Sequence, residues 1–174
     1  MACSFVANTE PLSYFCIQMK ICLLTVGKTD IGWVREGLET YVSRLSHYVP
    51  FNVREIPELK NASSLSRAQI KEKEGELILS LLSPSDMVIL LDEHGREYSS
   101  VDFAKHLGDL TQSGKNIVFV IGGAYGFSDA VYSRCNEKLS LSRMTFSHQM
   151  IRTIFTEQLY RAFTILNGQP YHHE

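Results

Sequence analysis

Apolar residues along the chain follow two different periods. In "KICLLTV" (20–26), "MVILL" (87–91) and "NIVFVI" (116–121) they run on almost unbroken, as in strands covered on both faces. "FNVREI" (51–56) alternates, and "KLSLS" (138–142) reads as one more brief strand. Between these runs the spacing changes to three and four. Val34, Leu38, Tyr41, Val42 and Leu45 mark a helix for which Asp30 is the expected cap. Ser66 and Gln69 form a capping box for a second helix, whose apolar face is Ile70, Leu77, Ile78 and Leu81. "DEHGREYSS" (92–100) is expected to be a polar loop. Phe103, Ala104, Leu107 and Leu110 then mark a third helix, and a short fourth lies near 128–136. The last helix is expected from about Ser147 to Leu166, stopping at Asn167-Gly168. This alternation predicts one α/β domain with a mostly parallel sheet and helices on both faces.

The apolar positions of the last helix (Met150, Ile151, Ile154, Phe155, Leu159, Phe163, Leu166) cover about half its circumference, wider than the roughly 100° stripe of a single core contact. A helix deep in its own monomer would show this pattern. So would one that also packs on a second subunit.

Composition narrows the class. At 44% hydrophobic and 21% charged, the 174 residues suit one compact core rather than a disordered chain. No apolar run reaches the roughly 18 residues of a membrane span. Cys3, Cys16, Cys22 and Cys135 form neither a CxxC pair nor a metal-ligand spacing, so a reduced cytoplasmic protein without a bound metal is expected. A net charge of −2 argues against a general nucleic-acid-coating protein. The charge is uneven, however. Residues 1–133 carry twelve Lys and Arg against sixteen Asp and Glu, whereas residues 134–174 carry five against three, which is either ordinary charge scatter or a place for an anionic partner at the C-terminal quarter. Residues 1–18 lack the basic start and apolar stretch of a secretory signal, and Met19 opens "MKICLLTVGKTD" as a natural start would. They are expected to be a non-native or disordered extension, with 19–174 the single domain.

The candidate chemistry centres on "NIVFVIGGAYGFSDAV" (116–131), a strand, a glycine turn and a helix start. It lacks the GK[ST] ending of a phosphate loop and the spacing of a dinucleotide fingerprint. An isolated Gly-Gly would be only a tight turn. Two further segments, "ILLDEHG" and "LSLSRMTF", leave strands at the same expected edge, where parallel sheets bind ligands. Leu91 offers an apolar wall, Gly122 and Gly123 a bare main chain, and Leu141, Met144 and Phe146 flank a loop of peptide groups. Such a pocket suits an adenine ring and offers nothing for a polyphosphate.

"IGGAYG", "LSLSRMTFSHQMIRTIFTEQLYRAF", the closing "GQPYHHE", "VGK", "KEGE" and "LLDEHGREYSS" together resemble the RlmH family of ribosomal large-subunit pseudouridine methyltransferases, in the SPOUT superfamily. The likeness runs from Met19 to the end. It implies a C-terminal deep trefoil knot, a homodimer, and S-adenosylmethionine as cofactor. Carried over by position, Leu91, Gly122 and the segment Leu141, Ser142, Arg143, Met144, Thr145, Phe146 match the family's cofactor loops, with Gly123 beside them. The implied reaction is methyl transfer to N3 of a pseudouridine in the helix 69 loop of 23S rRNA, on assembled ribosomes. His172 is the candidate proton acceptor, with Tyr171 stacking on the base or orienting it. Arg143, Arg152 and His173 are candidate RNA contacts. At His173 the sequence departs from the Arg or Lys typical of the family. A SPOUT enzyme acting on tRNA and a non-catalytic cofactor- or ribosome-binding module are the alternatives.

Overall fold

The computed structural model describes residues 19–172. The extension 1–18 and His173 therefore lie outside the described residues. Ten main elements follow in order: β1 (Ile21–Val26), α1 (Gly32–Leu45), β2 (Phe51–Ile56), α2 (Arg67–Ser80), β3 (Met87–Glu97), α3 (Ser100–Gln112), β4 (Ile117–Ile121), α4 (Asp129–Arg134), β5 (Glu137–Ser140) and α5 (Met150–Leu166). The strands form one sheet in the order β2-β1-β4-β3-β5, and every neighbouring pair is parallel.

The unbroken apolar runs become strands with two buried faces. Ile21 and Leu23 of β1, Ile89 of β3 and Ile117, Phe119 and Ile121 of β4 face a core shared with α1, α3 and α5. The alternate residues Leu24, Val88, Leu90, Val118 and Val120 face the other way, onto Ile78 of α2, Phe127 and Val131. Removing such side chains from water on both sides of the sheet is the main stabilising term, at roughly 25 cal/mol per Å² of apolar surface. The Ser66 capping box forms as expected, with Gln69 N–H donating to the Ser66 hydroxyl and Ser66 N–H to the Gln69 side chain.

Three expectations need correction. Asp30 does not cap α1. The cap position is Ile31, and the main-chain N–H groups of Asp30 and Ile31 both donate to Gln149 Oε1, 3.1 Å away in each case. A tertiary partner more than a hundred residues distant replaces the local one. "DEHGREYSS" is not all loop either. Strand β3 leaves its pairing with β5 after Leu91 and resumes it at Arg96 and Glu97, so residues 92–95 form a detour within one long strand. Finally, α5 starts at Met150, because Ser147–Gln149 belong to the preceding loop.

On α5 the broad apolar face divides between buried and exposed residues. Phe155, Leu159, Ala162 and Phe163 are buried in the chain's own core, while Met150 and Leu166 stay exposed.

Candidate active site

The C-terminal ends of β3, β4 and β5 open onto one cavity of about 620 Å³. Its walls include Leu91 from β3, Gly122 and Gly123 after β4, and Leu141, Met144 and Phe146 after β5. Ser142 and Thr145 also line it, so eight of the nine expected cofactor residues share this cavity. Arg143 does not. Its side chain is 91% exposed and its Nε lies 3.5 Å from a Glu97 carboxylate oxygen, on the outer side of the loop.

Each wall has a local cause. After β4 neither Gly122 nor Gly123 adopts a positive φ, so the need for glycine is close approach, not unusual backbone angles. A Cβ on Gly122 would stand 3.0 Å from the Phe127 ring, and one on Gly123 would stand 2.5 Å from Glu74 Oε2. Gly126, at φ 77°, makes the actual left-handed turn, and its N–H donates to Gly123 O at 3.2 Å. On the β3 side, Gly95 returns the detour onto β5, where a Cβ would come within 2.5 Å of the Leu139 carbonyl carbon. The β5 loop is braced by its own hydroxyls. Met144 N–H donates to Ser142 Oγ at 2.9 Å, and Thr145 Oγ1 to Glu93 at 3.2 Å. These bonds hold the backbone while Met144 itself is 76% exposed.

The cavity's most constrained charge is Asp92. Burial alone would raise its pKa, but Tyr132 Oη donates to it at 2.5 Å and His94 N–H at 2.8 Å, and together they hold the carboxyl below its ordinary value. Burial and then the same bond push the Tyr132 phenol upward. A carboxylate fixed in the anionic form suits a cationic guest and opposes a phosphate. With apolar walls and bare glycine backbone beside it, the cavity fits a nucleoside carrying a positive centre.

The remaining candidates lie elsewhere. Tyr171 and His172 do not line this cavity. Tyr171 packs edge-on against Tyr160 at 4.8 Å, lies under the Arg161 guanidinium, and donates to Glu157 at 3.1 Å. His172 Nδ1 is buried without a hydrogen-bond partner. Arg152, expected on RNA, is fully buried. Its guanidinium donates to Val26 O, Gly27 O, Thr29 Oγ1 and His148 O. A side chain whose donors are already engaged inside the protein is not available to a phosphate, so that assignment is corrected. Arg152 instead ties the end of β1 to the loop that walls the cavity. Arg161 is paired with Glu157 one helical turn away.

Glu74 and the burial of Arg152 escape a motif-based reading, and helical phase would have found both. Arg152 lies three and seven positions before Phe155 and Leu159, on the core side of α5. Glu74 lies midway between Ile70 and Ile78, on the core side of α2.

Among the described residues, no group of three His, Cys, Asp or Glu could hold a metal ion, and no helix is long and apolar enough to cross a membrane. A family model described as "Predicted SPOUT methyltransferase" matches residues 19–172. A protein of Parabacteroides distasonis named ribosomal RNA large subunit methyltransferase H is 57% identical over 157 residues, 90% of this chain and 100% of its own length. One of the same name from Flavobacterium johnsoniae is 54% identical over the same shares. The crystal structure of a "Probable Methyltransferase" from Bordetella pertussis Tohama I superposes with a TM-score of 0.51 at 11% identity, covering 85% of this chain and 96% of that one, which bears on the fold alone.

Proposed function

The chain belongs to the SPOUT methyltransferase family, at high identity to its ribosomal RNA large subunit methyltransferase H members, and from that premise we propose that it methylates 23S rRNA. The donor is S-adenosylmethionine, and the acceptor is N3 of a pseudouridine in the helix 69 loop of the assembled ribosome. The observation that carries this reading is the convergence of Leu91, Gly122 and Met144 on one strand-end cavity.

The residues present fit the donor. Leu91, Leu141 and Met144 give apolar walls for a flat ring, the glycine turn lets a ligand meet main chain, and Asp92 supplies negative charge. When bound, the donor supplies an electrophilic methyl group on a sulfonium. The protein's part is to orient two reactants in line and to keep water out, the kind of positioning worth several kcal/mol of barrier.

The working unit is a homodimer in the cytoplasm. Asp30 and Ile31, just before α1, are tied to Gln149 at the end of the loop that walls the cavity, and Trp33, Met144 and Met150 are all exposed. An apolar rim beside a charged cavity is what a second subunit would cover. Tyr171 and His172, which do not line their own chain's cavity, would meet the acceptor across that boundary. The β4–β5–α5 segment, which builds the cavity, is where the family's trefoil knot is placed.

The test is transfer of labelled methyl from S-adenosylmethionine to ribosomes lacking the modification, with mass mapping of the product. Label in helix 69 supports the reading. Donor binding without transfer would favour a non-catalytic module, and label on tRNA would favour a tRNA enzyme.

A further inference from the structure

A second cavity of about 320 Å³ adjoins the first, and Gly123, Ala124, Tyr125 and His148 line both. Its floor is the end of β1 at Val26 and Gly27, and its sides carry Glu58 and Glu74. Its size suits a nucleobase with part of its ribose. Glu74 is oriented by packing alone. Its Oε2 is buried, has no hydrogen-bond partner, and presses on Gly123, where a Cβ would come within 2.5 Å. A buried carboxylate oxygen without a donor is costly unless something supplies a proton or an N–H. The glycine turn is therefore a thin wall, with the first cavity on one side and an unsatisfied acceptor on the other.

We propose that this second cavity is the acceptor-base subsite and that Glu74 accepts the proton leaving the ring nitrogen that is methylated. The inference rests on the methyltransferase reading above and assigns to Glu74 the role that the tail resemblance would give His172. The balance is simple. The nitrogen lone pair forms the new N–C bond as the methyl–sulfur bond breaks, the bonding pair stays on sulfur, and the imide proton passes to the Glu74 carboxylate and from there to water. An imide nitrogen that keeps its proton has no free pair to use, so a base within reach accelerates the step by about 10² to 10⁴.

The surroundings match the task. Burial, and then the like charge of Glu58, raise the Glu74 pKa above the ordinary carboxylate value, which makes it a stronger base than a solvated Glu. The other titratable groups facing the cavity are His148, from the loop before α5, and Tyr125, which carries the Arg67 guanidinium over its ring at 5.5 Å.

The experiment compares wild type, Glu74→Gln, Glu58→Gln, His172→Ala and Ala62→Phe on ribosomes across pH, with donor binding followed by calorimetry. Glu74→Gln is expected to bind the donor as wild type does, to lose about 100-fold in kcat near pH 7, and to recover as alkali ionises the imide itself. Glu58→Gln removes the charge that raises Glu74, so the acid limb of its profile moves to lower pH. Ala62→Phe fills the second cavity and should abolish transfer while keeping donor affinity. A Glu74→Gln profile identical to that of active wild type overturns the proposal. So does loss of the acid limb in His172→Ala but not in Glu74→Gln. Wild type that binds donor yet never methylates ribosomes takes down the functional reading and this inference with it, a result distinct from either.

Discussion

Replacing Arg152 by Met removes a buried cation while keeping most of its bulk. The guanidinium lies 2.7 Å from Val26 O, 3.1 Å from Gly27 O, 2.8 Å from Thr29 Oγ1 and 3.0 Å from His148 O. Glu55, at 3.7 Å, completes the charge balance and itself accepts two bonds from Thr29. Met leaves three main-chain carbonyls without this donor and Glu55 without its cation. Each unsatisfied buried group costs about 1–3 kcal/mol, the terms not being additive, while Glu55, 36% exposed, can turn to water and adds little. A loss of about 3–5 kcal/mol is expected, a large part of the roughly 5–15 kcal/mol that holds a domain folded. Urea unfolding should show a lower midpoint at unchanged m. Arg152→Lys should fall between, since one ammonium has three donors and no planar fork. A variant within about 1 kcal/mol of wild type would refute the clamp. If it also showed weaker ribosome binding with a shallower salt dependence, the phosphate-contact reading would return.

Three further outcomes follow from the same site. Gly95→Ala drives a Cβ into the Leu139 backbone, so it should cost at least about 1–3 kcal/mol and weaken donor binding by shifting the 92–94 wall; calorimetry with an unchanged affinity would show that the detour does not shape the cavity. Tyr132→Phe removes the bond that keeps Asp92 ionised while leaving its burial, so the Asp92 pKa should rise in a carbon-13 carboxyl titration. Because the folded-state pKa is depressed, Asp92 stabilises the fold above its unfolded value and that contribution is lost as pH falls through the folded one; the variant's stability should therefore depend less on pH below about 4. Trp33→Ala, at a side chain 61% exposed, should change stability by less than about 0.5 kcal/mol yet weaken dimerisation in sedimentation or ribosome binding; no effect on either would leave the exposed indole without a role.

What the sequence made legible is what short-range physics decides. The unbroken apolar runs at β1, β3 and β4 announced strands buried on both faces, and the Ser66–Gln69 pair announced a helix start that needs no partner outside its own first turn. Where reading failed, a distant group had won. Asp30 is a good cap by type, but Gln149 arrives from α5 and satisfies the same N–H groups. Polar "DEHGRE" looks like loop because local propensity cannot know that β5 will lie beside it and that Gly95 fits against Leu139. That Leu91, Gly122 and Met144 share one cavity was legible from three strand ends at one edge and from the family resemblance. The placement of Arg152 and Glu74 was missed for a different reason: Arg152 reads as an RNA contact and Glu74 draws no reading, although their phase puts both on core faces. Like Asp92, those two positions hold a charged group with atoms shut off from water. At Arg152 every neighbour answers it. At Glu74 one oxygen is left unanswered against the glycine turn, and an unmet acceptor in the wall of a nucleoside-sized cavity is better explained by a substrate's N–H than by any need of the fold.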